Sequence, residues 1–164
     1  MHQNLQKTVE KHLSSTFKKP IADHTLKAFS ELVSSIDNSR SIILDSGCGT
    51  ALSTRLLSLE YPDSWVIGID RSFKRLSKIH EDALPDNARL VQADLIDFWR
   101  LALEAGWQLE RHTLLYPNPY PKSVHLKRRF HASPVFPVLL ALGGVIELRT
   151  NWKIYAEEFC MGVR

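Results

Sequence analysis

Apolar residues fall along this chain in two alternating patterns. In the first they are contiguous: Ile42-Ile43-Leu44, Trp65-Val66-Ile67-Gly68-Ile69, Ala88 to Gln92, His112 to Tyr116 and Val145 to Leu148. Short apolar runs bounded by turn residues read as buried strands. In the second they recur every three or four positions, as in a helix with one buried face. Leu52, Leu56, Leu57 and Leu59 make one such stripe, in a helix that Thr50 opens. Phe73, Leu76 and Ile79 make another behind a capping Ser72. Ile96, Trp99 and Leu103 lie in a helix from Leu95 to Ala105, closed by Gly106. Val138, Leu139, Leu140 and Leu142 follow a helix start at Ser133-Pro134, and Ile154, Tyr155 and Phe159 occupy a last helix. Two further helices precede the first strand. One is weakly amphipathic, within 1–19, and carries Leu5, Val9, His12 and Leu13. The other runs from a capping Asp23 through Leu26, Phe29, Leu32, Val33 and Ile36 to Asp37-Asn38-Ser39.

Strands alternating with helices predict an α/β fold: a mostly parallel sheet with helices on both faces. Right-handed crossovers and a switch point beside the first strand predict the strand order 3-2-1-4-5. The 164 residues read as one domain, with a helical segment over 1–40 ahead of a sheet core over 41–164.

Composition adds limits more than direction. Apolar residues make up 44% and charged residues 24%, as in soluble globular proteins. No run approaches the roughly 20 apolar residues that span a bilayer, and the polar N-terminus lacks the apolar stretch of a signal peptide. No membrane partner is therefore expected. Two cysteines, Cys48 and Cys160, make no disulfide framework and suit a cytoplasmic setting. The net charge of +3 decides little. Its placement says more: Lys122, His125, Lys127, Arg128 and Arg129 lie close together, as on a phosphate-binding face.

The candidate chemistry begins at the first strand. Asp45-Ser46 ends it, and Gly47-Cys48-Gly49 turns the chain into the next helix. Glycines in a strand-to-helix turn let a ligand lie against bare backbone. Asp70 ends the second strand, where a carboxylate can hold ribose hydroxyls, and Asp94 follows the third. The fourth strand runs into a proline-rich loop at Pro117-Asn118-Pro119-Tyr120-Pro121. Together these residues read as a nucleoside site at one edge of the sheet.

Past the fourth strand the sequence becomes more specific. Y-P-N-P-Y-P-K-S-V-H-L-K-R-R-F, over 116–130, resembles the signature of the bacterial tRNA guanine-N7 methyltransferases. Those enzymes have a Phe-Pro-Asp-Pro-Trp-Pro-Lys loop, then a His and Lys-Arg-Arg. G-V-I-E-L-R-T-N-W-K-I-Y, from Gly144, is similar to the family's closing strand with its Thr-Asp and following tyrosine. The resemblance implies a Rossmann-like class I methyltransferase fold with S-adenosylmethionine as cofactor and tRNA as partner. It implies that Gly47 and Gly49 lie beside the methionine part of the cofactor, with Asp45 near its amino group. Asp70 and Arg71 would meet the ribose, and Asp94 and Leu95 the adenine. Asn118, Thr150 and Asn151 would meet the target guanine. Lys122, His125, Lys127, Arg128 and Arg129 would face RNA phosphates.

Two departures from the family pattern matter. Asn118 stands where the family has aspartate, with Tyr116 and Tyr120 for Phe and Trp. Guanine N7 carries a lone pair, so its methylation needs positioning more than a base. Also, the family's further strand pair and its Thr-x-x-Glu element have no counterpart here. The expectation is a sheet without its C-terminal edge strands, present as a monomer or as a homodimer through the exposed fifth strand. Two rival readings follow. One is a degenerate methyltransferase-fold module that binds cofactor or RNA, or serves as a subunit. The other is an amino-group or small-molecule methyltransferase; for the amino-group case, Asn118-Pro119-Tyr120 is similar to the Asn-Pro-Pro-Tyr loop of such enzymes, with the second proline missing. No metal is expected, because the histidines have no ligand spacing.

Overall fold

A computed structural model of the chain describes residues 4–14 and 17–164. The remaining positions of the 1–19 segment lie outside the described residues. The strands are β1 (Ile42–Ser46), β2 (Trp65–Asp70), β3 (Ala88–Gln92), β4 (Leu109–Leu115) and β5 (Val145–Arg149). They form one sheet in the order β3-β2-β1-β4-β5, every pair parallel, as the alternation predicts. The helices are α1 (Leu5–Leu13), α2 (Asp23–Ser35), α3 (Leu52–Glu60), α4 (Phe73–Leu76), α5 (Leu95–Glu104), α6 (Phe136–Ala141) and α7 (Lys153–Val163). The basic stretch forms two 3-10 turns, Ser123–Arg128 and Phe130–Ala132. No helix is long and apolar enough to cross a membrane among the described residues.

Parallel strands buried on both faces need continuous apolar runs, and β2 is buried along its whole length. Phe98 and Trp99 of α5 are fully buried against the sheet, with Leu44, Ile67, Ile69 and Leu114. Phe29 of α2 meets Phe98 edge-on at 5.3 Å and Trp107 at 5.2 Å. Trp65, Trp99 and Trp107 are thus core residues, and Trp152 sits on the rim, 47% exposed.

Three local readings are corrected. Asp23 does not cap α2: the N-cap is Ala22, and its amide donates instead to Asp97 Oδ2 at 3.1 Å. α3 opens at Leu52, because Ala51 before it takes a left-handed conformation (φ 66°). The leucines of α3 are not its core face. Leu52, Leu56 and Leu59 are exposed, while Thr54 and Ser58 face inward. Asp45 accounts for Thr54, since its buried carboxylate accepts from the Ser53 and Thr54 hydroxyls, while Ser58 donates to the Arg55 carbonyl of its own helix.

β5 is reached through Gly143-Gly144. Gly144 has φ +78°, and a Cβ there would press on the Leu109 and Glu110 carbonyls, the latter at 2.8 Å. Gly144→Ala therefore combines left-handed strain with a backbone clash. We expect a loss of about 2–4 kcal/mol in unfolding free energy. A shift in denaturant midpoint of under 1 kcal/mol equivalent would contradict that reading.

Candidate active site

The parallel strands bring the ends of β1, β2, β3 and β4 to one edge of the sheet, where a cavity of about 390 Å³ opens. Its floor is the glycine turn. Gly47 and Gly49 have φ +74° and +60°, and the Gly47 and Cys48 amides donate to the Ile69 carbonyl at 2.7 and 3.0 Å. The turn is thereby laid against the end of β2; Gly47 lines the cavity, whereas Gly49 does not and gives its amide to Asp70.

Asp70 is 4% exposed and organises this corner. Its Oδ2 accepts from the Gly49 amide at 3.0 Å. Its Oδ1 accepts from the Ser72 amide at 2.8 Å and pairs with Arg75 at 3.2 Å. Asp94 caps α5: its Oδ1 accepts from the Asp97 amide at 3.1 Å. Arg71, Asp94 and Leu95 all wall the cavity.

Asp45 does not. Its side chain is turned to α3 and β4, where Oδ2 accepts from Ser53 at 2.6 Å and Thr54 at 2.8 Å, and Oδ1 from Thr113 at 3.0 Å. It is 1% exposed, and burial pushes its pKa up against those three hydroxyl bonds. The alternation of a strand puts Ser46, not Asp45, on the side of α5. Cys48, within the turn, is buried, and burial first of all pushes its thiol up to about 12.

The β4 loop forms the opposite wall. Tyr116 and Tyr120 both have positive φ, 53° and 42°, and flank Pro117-Asn118-Pro119. Asn118 Oδ1 accepts from the Tyr120 amide at 3.2 Å, and its amide hydrogens and the second lone pair of Oδ1 remain on the cavity wall. His125 is half-buried and meets Tyr120 edge-on at 6.2 Å. Lys122, Lys127 and Arg128 are exposed, and Arg128 lies over the Tyr120 ring at 5.8 Å, on the cavity wall.

Two expectations for the substrate side are corrected. Arg129 is not available to RNA: it is 6% exposed and paired with Glu158 of α7 at 2.5 Å. Thr150 and Asn151 do not reach the cavity. They form the turn into α7, where Thr150 Oγ1 accepts from the Trp152 amide at 3.1 Å. Tyr155, one turn further on, walls the cavity instead, and burial first of all pushes its phenol up to about 12. Sequence reasoning also missed Ser46 and Arg75. The available signal for Ser46 was its place beside Gly47.

A methyltransferase family model matches residues 39–164. The chain belongs to that family. The tRNA (guanine-N(7)-)-methyltransferase of Neisseria meningitidis serogroup C (strain 053442) is 28% identical over 134 residues, covering 78% of this chain and 56% of that protein. The tRNA (guanine-N(7)-)-methyltransferase of Streptomyces coelicolor is 30% identical over 136 residues, covering 78% and 49%. These relatives bear out the resemblance carried by the loop and the basic run. The chain spans about half the length of the curated relatives it matches. Among solved structures, the antibiotic-resistance methyltransferase Kmr superposes with a TM-score of 0.54 at 14% identity, over 92% of this chain and 85% of that one. A mutant 16S rRNA (adenine(1408)-N(1))-methyltransferase from Catenulisporales acidiphilia, solved with its cosubstrate SAM, gives 0.50 at 18% identity, over 91% and 64%. At such identities the likeness concerns the fold, which is the Rossmann-like fold of class I methyltransferases.

Proposed function

We propose that this methyltransferase acts on N7 of a guanine in tRNA, with S-adenosylmethionine as the methyl donor. The observation that carries the reading is one cavity that joins the glycine turn, Asp70 and Asp94 to the Asn118 loop and its basic flank. The residues fit the cofactor. The glycine turn leaves room for close approach. Asp70 Oδ2 accepts one hydrogen bond, so a lone pair remains for a ribose hydroxyl. Asp94 spends Oδ1 on its cap, and its other oxygen suits an exocyclic amine. The bound cofactor supplies an electrophilic methyl group on a sulfonium.

What remains for the chain is positioning. Asn118 and the tyrosines of the loop hold the target base over the end of β1. Lys122, Lys127 and Arg128 hold phosphates. No base is needed for N7, which suits an asparagine at 118. A carboxylate there would bond guanine N–H groups more strongly.

We expect the unmodified chain to methylate tRNA, and Asn118→Asp to raise kcat/KM about tenfold, roughly 1.4 kcal/mol of added binding in the transition state. The readout is methyl transfer from labelled cofactor to tRNA, with the product nucleoside identified. Activity in the variant alone would make the chain a degenerate member. That is the second reading, and the engagement of Asn118 Oδ1 by Tyr120 favours it. No transfer by either protein would sink the enzyme reading.

A further inference from the structure

Beneath the glycine turn lies a hydrogen-bond network that the function above leaves unused. Ser46, the last residue of β1, is 3% exposed and walls the cavity. Its Oγ lies 2.7 Å from His112 Nε2 on β4 and accepts from Trp99 Nε1 on α5 at 3.0 Å. His112 and Trp99 are fully buried, with their rings edge-on at 5.4 Å. Burial pushes the His112 pKa down to about 3, so the imidazole is neutral at pH 7 and carries one ring proton. His112 Nδ1 is buried with no hydrogen-bond partner among the described residues.

That orphaned nitrogen selects the tautomer. With the proton on Nδ1, a buried donor would have no acceptor. With the proton on Nε2, only an acceptor is left unmatched, and unmatched buried donors are the rarer case in folded proteins. The proton therefore sits on Nε2 and is donated to Ser46. Trp99 can only donate, and it too points at Ser46. A hydroxyl has two acceptor sites and one proton. Both acceptor sites of Ser46 are filled, so toward the cavity it can act only as a donor.

The sheet order says what it meets. Along the cavity edge the strand ends run β3, β2, β1, β4, which places Asp94, Asp70, Ser46 and Asn118 in that sequence. This step rests on the cofactor reading above. A nucleoside with its base amine at Asp94 and its ribose at Asp70 extends its 5′ substituent over Gly47 and Ser46. On S-adenosylmethionine that substituent carries a sulfonium, an ammonium and a carboxylate, and only the carboxylate accepts hydrogen bonds. We propose that Ser46, fixed as a donor by His112 and Trp99, recognises the carboxylate of the amino-acid substituent on the bound nucleoside.

The test pairs a ligand change with a residue change. S-adenosylmethionine and its decarboxylated form are titrated calorimetrically into the full chain and into Ser46→Ala. A hydrogen bond from a hydroxyl to a carboxylate makes the expected loss about tenfold or more for S-adenosylmethionine, with less than a twofold change for the decarboxylated ligand. Equal weakening of both overturns the proposal, as does equal affinity of the two ligands for the unmodified chain. The latter leaves the cofactor reading intact, whereas failure of both ligands to bind removes both. A second measurement guards against a variant that fails to fold. Proton–nitrogen correlation of the histidine rings in the unmodified chain should show His112 as the Nε2–H form, and the Nδ1–H form overturns the proposal outright.

Discussion

Glu158→Ala should cost the fold about 3–5 kcal/mol, the penalty for leaving a buried cation without its partner. Arg129 is held on every side. Its Nε and Nη2 donate to the Tyr120 carbonyl at 3.2 and 3.1 Å, and Nη2 also reaches the Pro121 carbonyl at 3.4 Å. Its Nη1 donates to Glu158 Oε2 at 2.5 Å, and His131 Nε2 lies 3.1 Å from the same oxygen. Both carboxylate and imidazole are fully buried, and burial, the largest influence, holds the His131 pKa below its ordinary value. Removing the carboxylate strands the guanidinium in the core. Total stability of a domain this size is on the order of 10 kcal/mol, so the loss is a large fraction. Denaturant unfolding measures it, with Lys153→Ala as the comparison. That residue pairs with Glu157 on the exposed side of the same helix and should matter by well under 1 kcal/mol. If the two variants unfold alike, the cluster is not the anchor described here.

The same cluster reaches the cavity. The loop over Tyr116 to Tyr120 has two tyrosines with positive φ, a conformation that side chains disfavour by about 1–3 kcal/mol each. Arg129 caps the two carbonyls at the end of that loop from below. α7 thus sets the shape of a wall to which it contributes only Tyr155. Glu158→Ala should loosen Asn118 as well as lower stability.

What the sequence disclosed and what it hid have separate physical causes. The sheet order was legible because short apolar runs bounded by turn residues alternate with helical stripes, which fits parallel strands joined by helical crossovers. Asp70 and Asp94 were legible for the same reason, since a residue at a strand end is placed by the strand. Arg129 was hidden because nothing within Lys127-Arg128-Arg129 distinguishes its members. The chain turns there in a 3-10 conformation that sends Leu126 and Arg129 inward, and Glu158 lies 29 positions away. The α3 leucines were misleading because their spacing imitates a core face, while the inward Thr54 is held by a buried carboxylate on another element. Thr150 and Asn151 lie outside the cavity because they form the turn at the start of α7. The Arg129 and α3 misses are polar contacts between separate elements, which local patterns do not encode.

Asp70→Ala should abolish measurable cofactor binding, a loss of about a hundredfold or more. Two ribose hydroxyls bonded to one carboxylate contribute about 1.5–3 kcal/mol each. The difficulty is that Asp70 also holds the fold locally, through the Gly49 and Ser72 amides. An ionised carboxylate has about four acceptor sites, and three are in use. One hydroxyl can take the open site on Oδ2. The second must displace a partner, and Arg75 is the replaceable one: its side chain is 55% exposed and its pairing is worth little. Two variants therefore separate the roles. Asp70→Asn puts amide hydrogens against donors that the carboxylate accepted, so it should weaken both the turn and the binding. Arg75→Ala frees Oδ1 without touching the turn, so stability should change by under 1 kcal/mol and cofactor affinity should hold or rise. Calorimetry and unfolding on the three proteins give the answer. Affinity retained within threefold in Asp70→Ala would reduce Asp70 to a clamp on the glycine turn. Affinity lost in Arg75→Ala would make the arginine part of the site and Asp70 its support.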